Sequence, residues 1–172
     1  YIFLSRLQLA APWSDVRSGL FVTVAEWAAK RTLALPTDQE RAWKPSLLMP
    51  LTDSNTLLGS YRFLKALTAP RGSIRVVGIS PEKNSTLGEQ LAPIVKAFEN
   101  DGIFAHHAIL RSENLKRGAQ VSMDIFRSTF FRPNILFLVL HPDIIEKDIQ
   151  AMYNKAMENG MGMVLFLSLI HI

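Results

Sequence analysis

From Ser46 onward the sequence alternates short apolar runs with amphipathic stretches, and this rhythm limits the fold more than any single motif does. The runs Ser46–Leu51, Ile74–Ile79, Ile103–Leu110, Asn134–Leu140 and Met163–Leu169 have strand length, and the second is rich in β-branched residues. Between them, apolar residues recur at steps of three and four: Leu57, Leu58, Tyr61, Leu64 and Leu67, then Leu87, Leu91, Ile94, Val95 and Phe98. Two more helices are expected, from Asn114 to Ser128 and from Pro142 through Met157. Ala69-Pro70-Arg71-Gly72, Asn100-Asp101-Gly102 and Asn159-Gly160 separate these elements with turn residues. Crossovers between parallel strands are right-handed and their helices must cover the sheet. The pattern therefore predicts an α/β domain with a five-stranded parallel, doubly wound sheet.

Upstream the period differs. From Pro12 to about Arg31, Val16, Leu20, Phe21, Val24, Trp27 and Ala28 mark one helix with a wide apolar face, which Trp13 extends. Thr32 to Lys44 holds Pro36, Thr37, Asp38 and further charges, and reads as a linker. The expected division is 1–42 as helix and linker and 43–172 as the α/β domain. Tyr1 at the start and the apolar run Met163 to Ile172 at the finish read as cut ends. Arg6, Asp15 and Arg17 interrupt the beginning, so no stretch reaches the roughly 20 apolar residues that cross a bilayer.

The chain has no cysteine, which removes disulfides and thiolate metal sites. Its net charge of +4 allows nucleic acid or an anionic membrane as partner. The basic residues are scattered over several elements without interleaved aromatics, which argues against nucleic acid. In an open parallel sheet, ligands bind beyond the carboxyl ends of the strands, where strand order reverses. The most polar run in such a place is Thr52-Asp53-Ser54-Asn55-Thr56, where Asp53 or Ser54 is expected to cap the following helix. The fourth strand leads into His141-Pro142-Asp143, with none of the glycines a phosphate-cradling turn needs. His106 and His107 are adjacent on a strand, so they point to opposite faces and are not expected to share a metal. One should pack and the other face solvent. No nucleophile, base and oxyanion donors can be assembled from these loops, so neither an enzyme nor a cofactor is expected.

Three stretches, taken in order, resemble one family. Trp43-Lys44-Pro45-Ser46-Leu47-Leu48 is similar to the entry of the cytoplasmic domain in cation-chloride cotransporters, and Arg132-Pro133-Asn134-Ile135-Leu136 to the entry of a later strand in it. Ser14 to Leu20 resembles the connecting helix after the last membrane span. The likeness is nearest to prokaryotic members. It implies a non-catalytic regulatory domain on the cytoplasmic side of a transporter coupling chloride to sodium or potassium, with residues 1–42 membrane-proximal. The implied partners are the transmembrane part of the same transporter and a second copy in a homodimer. Trp13, Val16, Leu20, Val24 and Trp27 would form the connecting face, and basic residues could meet anionic lipid headgroups. The sheet also resembles a universal stress protein. The alternative function is therefore a nucleotide-sensing domain binding ATP near Asp53 and Ser54.

Overall fold

The computed structural model of the protein describes residues 22–28, 30, 44–82, 86–129, 131–140 and 144–167. The chain divides into two units, Tyr1–Arg41 and Ala42–Ile172. In the first, residues 22–28 and Lys30 are helical, as the apolar period requires. Among the described residues no helix is long and apolar enough to cross a membrane.

The second unit runs β1 (Ser46–Leu51), α1 (Ser54–Thr68), β2 (Ser73–Ser80), α2 (Leu87–Asn100), β3 (Phe104–Arg111), α3 (Leu115–Arg127), β4 (Ile135–Leu140), α4 (Glu146–Glu158) and β5 (Gly162–Leu167). All pairings are parallel, in the order β3-β2-β1-β4-β5, so the expected doubly wound sheet is present. Most limits fall within a residue or two of expectation, and two of the shifts have a visible backbone cause. The turn Asn100-Asp101-Gly102 needs Gly102 at φ 79 and draws Ile103 N back to Phe98 O at 3.0 Å, so β3 starts at Phe104. Ile145 is extended at φ −74, ψ 137, so α4 starts at Glu146, later than Pro142.

The sheet separates two cores. On one face Leu47, Met49, Ile74, Val76 and Phe137 pack under Leu57 and Leu64 of α1 and Leu91, Val95 and Phe98 of α2. On the other, Leu48, Val77, Ile79, Leu136 and Leu138 pack under Ala119 and Met123 of α3 and Met152 and Ala156 of α4. Alternation along each strand produces this sorting, because successive side chains point to opposite faces. Gly118 lets α3 approach closely: a Cβ there would stand 2.5 Å from Ile79 Cδ1. The two edges are unlike. β3 carries His106, His107 and Arg111, whereas β5 is apolar on both faces and leaves Leu165 47% and Leu167 62% exposed.

The central seam, β1 against β4, has a short ladder, Leu47↔Ile135 and Leu48↔Leu136. Its length follows from Pro50. The Ser46 amide and carbonyl both face β4, to Asn134 Oδ1 at 2.8 Å and from Asn134 N at 2.9 Å. By alternation the backbone of Pro50 faces the same way, and proline has no N–H to offer.

Asn134 reinforces what the ladder lacks. Its Oδ1 accepts from Ser46 N, and its Nδ2 donates to Lys44 O at 2.8 Å. Its own carbonyl accepts from Gly162 N at 2.8 Å, which links β5 to the same point. Beside it, Ser46 Oγ meets Ser73 Oγ at 2.9 Å and accepts from Arg75 Nη1 at 3.2 Å. Arg75 is buried over the Phe126 ring, 5.6 Å from its centroid, and burial pushes its guanidinium below the usual range. On the opposite face Tyr61 packs on Phe98 with centroids 4.3 Å apart and donates to Asp101 Oδ2 at 2.6 Å. That hydrogen bond, with burial and the carboxylate charge, pushes the phenol up to about 12.

Two measurements follow from these contacts. Asn134→Ala removes a two-way side-chain bridge at the seam and should lower the unfolding free energy by about 1–3 kcal/mol in a urea titration with unchanged slope. A loss below about 0.5 kcal/mol would mean that the bridge is incidental. An ultraviolet titration of tyrosine should show a step near pH 12 that disappears in Tyr61→Phe and moves down in Asp101→Asn. The raised folded-state value means this interaction stabilises the fold below the unfolded phenol range near pH 10, and the benefit is lost as pH rises through about 12.

Candidate functional site

Strand order reverses between β1 and β4, so the carboxyl ends of these strands are where a parallel sheet of this kind offers a ligand crevice. Thr52 is exposed there, and Asp53 and Ser54 are half-buried. Asp53 stands at the amino-cap position of α1 with extended backbone, φ −137 and ψ 136, but its side chain makes no capping hydrogen bond. Its Oδ1 instead accepts from Asn55 Nδ2 at 3.2 Å. Ser54 does not cap either: its hydroxyl donates to Gln90 Oε1 of α2 at 3.1 Å. The expected cap is thus replaced by a bond within the loop and a bond between helices. The other wall of the crevice, His141-Pro142-Asp143, lies outside the described residues.

The histidine pair is arranged as a strand dictates. His106 is exposed, His107 is half-buried, and their ring centroids are 6.4 Å apart. His106 lies opposite Arg75 and His107 opposite Val76 in the β2 register.

Of the connecting face, Trp13, Val16 and Leu20 lie outside the described residues. Val24 and Trp27 are one helical turn apart and are 52% and 64% exposed. Two bulky apolar side chains sharing one stripe of a helix lose free energy in water that packing would recover. This surface can bind another apolar surface.

What sequence reasoning missed is the clamp at the opposite end of the sheet. The stretches Lys44-Pro45-Ser46 and Arg132-Pro133-Asn134 lie far apart in the chain but meet in space through Asn134. Arg132 adds a hydrogen bond from Nη2 to the Asn159 carbonyl, tying in the end of α4. The signal was an amide side chain directly before an apolar central strand, flanked by proline.

The family model described as the prokaryotic cation-chloride cotransporter, C-terminal domain, 1st, matches residues 49–170. Among solved structures, the chain is similar to the cytoplasmic domain of a prokaryotic cation chloride cotransporter, at 34% identity and a TM-score of 0.62 over 73% of this chain. The match covers 46% of that structure, so the chain spans about half the length of the solved domain. The C-terminal domain of a hydrogenase from Pyrococcus furiosus is also similar, at 17% identity and a TM-score of 0.40, covering 77% of this chain and 97% of that one. No curated protein matches the chain. With a family match across most of its length and a structural relative at one-third identity, the chain belongs to the prokaryotic cation-chloride cotransporter family, in the cytoplasmic C-terminal domain.

Proposed function

We propose that this chain is a non-catalytic regulatory and dimerising module of a secondary transporter that couples chloride to sodium or potassium. The observation that carries this reading is the apolar helical face at Val24 and Trp27, exposed in the unit that precedes the sheet. Such a face has a function when it meets an apolar partner, and in a transporter's cytoplasmic domain the membrane-embedded part supplies one. The proposed connecting face is Trp13, Val16, Leu20, Val24 and Trp27. The mechanism is a population bias: a rigid domain that packs differently in two transporter states shifts their balance by the difference in packing free energy. A difference of about 1.4 kcal/mol changes that balance tenfold.

Pairing of two copies is supported by β5. Among the described residues its backbone pairs only with β4, and Leu165 and Leu167 are exposed, a surface that self-association would bury. Strand-to-strand contact between copies would extend the sheet without disturbing either core.

Two experiments address the two parts of the proposal. In the full transporter, Trp27→Asp should lower chloride-dependent cation uptake at least several-fold at equal surface expression, while leaving the melting temperature of the isolated 172-residue chain unchanged. Unaltered uptake would remove the helix from the mechanism. Sedimentation velocity of the chain should show a dimer that Leu165→Lys with Leu167→Lys converts to monomer. A monomer at all concentrations up to about 100 μM, equivalent to a dimerisation free energy weaker than about 5.5 kcal/mol, would count against pairing through this strand.

A further inference from the structure

On its face of the sheet α3 packs chiefly on β1 and β2 and covers β3 least, reaching it at Leu110, which joins the cluster beneath Ala119 and Met123. The register fixes which β3 side chains share that face: His106, Ala108 and Leu110 stand opposite Arg75, Val77 and Ile79. Val77 and Ile79 lie beneath Ala119 and Met123, whereas His106 and Ala108 are exposed and Leu110 is half-buried. The flank of α3 beside this strip adds Val121, 38% exposed, and Ile125, 52% exposed. At the amino end of β3 the Phe104 and Phe131 rings lie 5.6 Å apart, and both are more than half exposed. At its carboxyl end a cleft of about 340 Å³ is lined by Leu110, Arg111, Ser112, Glu113, Arg117 and Val121. Arg111 Nε donates to Pro81 O at 3.2 Å. Among the described residues neither Arg111 nor Arg117 pairs with a carboxylate.

We propose that this edge seats an anionic phospholipid, with Arg111 and Arg117 taking the phosphoryl headgroup and Val121, Ile125, Phe104 and Phe131 entering the boundary of the acyl chains. A guanidinium presents parallel N–H donors that match phosphate oxygens, and arginine is more weakly hydrated than lysine. Branched aliphatic and phenylalanine side chains beside such cations are the composition of a surface that lies on a membrane. Glu113 offsets one positive charge in the cleft, so the apolar strip must contribute to the affinity. Charge also argues for this occupant over others. A second copy placed on the strip by a two-fold axis would bring the same arginines towards each other. Single-stranded nucleic acid needs open rings for stacking, but Val121 and Ile125 have none and the two phenylalanines face each other. The inference rests on the proposed work beside a membrane and is independent of pairing through β5.

The test is sedimentation of the 172-residue chain with vesicles of phosphatidylcholine alone, and with vesicles in which about one-third of the lipid is phosphatidylserine. The chain should partition onto the second set near 0.1 M salt and leave it near 0.5 M. Arg111→Gln with Arg117→Gln should weaken partitioning about 30-fold, since each cation near the surface contributes a factor of about 5. Val121→Ser with Ile125→Ser, which leaves the charge unchanged, should also weaken it near 0.1 M salt. Arg62→Gln with Arg71→Gln makes the same change in charge on α1 and the turn after it, and should leave binding intact. Equal loss in that control, or no binding by the parent chain, would overturn the proposal. So would Arg-dependent binding of inorganic phosphate or of a single-stranded oligonucleotide without vesicle binding. Sedimentation velocity on the same variants separates this outcome from the pairing result, because the arginine variants should keep the oligomeric state of the parent.

Discussion

The fold turns on the seam between β1 and β4, where a parallel sheet wound in two directions is joined by its shortest ladder. Pro50 removes the amide that would have carried that ladder further, and Asn134 replaces part of the loss from the amino end with its side-chain amide. The bridge ties the residue just before β4 to the first residue of β1 by a half-buried bond and to Lys44 by an exposed one, so the bond to Ser46 contributes the larger share. Ser46, Ser73 and the buried Arg75 extend the same polar network across to β2. Two short sequence stretches that look unrelated are therefore one structural object, because each supplies what the other lacks.

Most of the architecture was legible because it depends on periodicity. Strand and helix runs, their order and the two faces of the sheet all follow from side-chain spacing, and the strands lie within a residue or two of their expected limits. What stayed hidden depended on particular partners. Asp53 occupies the cap position, yet Asn55 takes its carboxylate, and Gln90 from α2 takes the Ser54 hydroxyl. Propensity ranks cap residues but does not report a competing donor two residues on or an acceptor on another helix. The pairing of Asn134 with Lys44 and Ser46 could not be read from either stretch alone, since it bridges 88 to 90 positions of chain.

The candidate surfaces share one logic. A helix presents Val24 and Trp27, one sheet edge presents Leu165 and Leu167, and the other presents apolar side chains next to Arg111 and Arg117. The polar groups of the switch-point loop, where a ligand crevice belongs in this topology, are instead engaged with Asn55 and Gln90.

β5 also bears on how the protein behaves in a test tube. Its sequence Gly-Met-Val-Leu-Phe-Leu contains no charge and no proline, so no gatekeeper residue interrupts it. β3 at the far side, with two imidazoles and a guanidinium, is blunted against templating of extended chains. Whatever caps β5 therefore also sets colloidal behaviour, and a charge placed on its outward positions is the most direct route to samples that stay clear at high concentration.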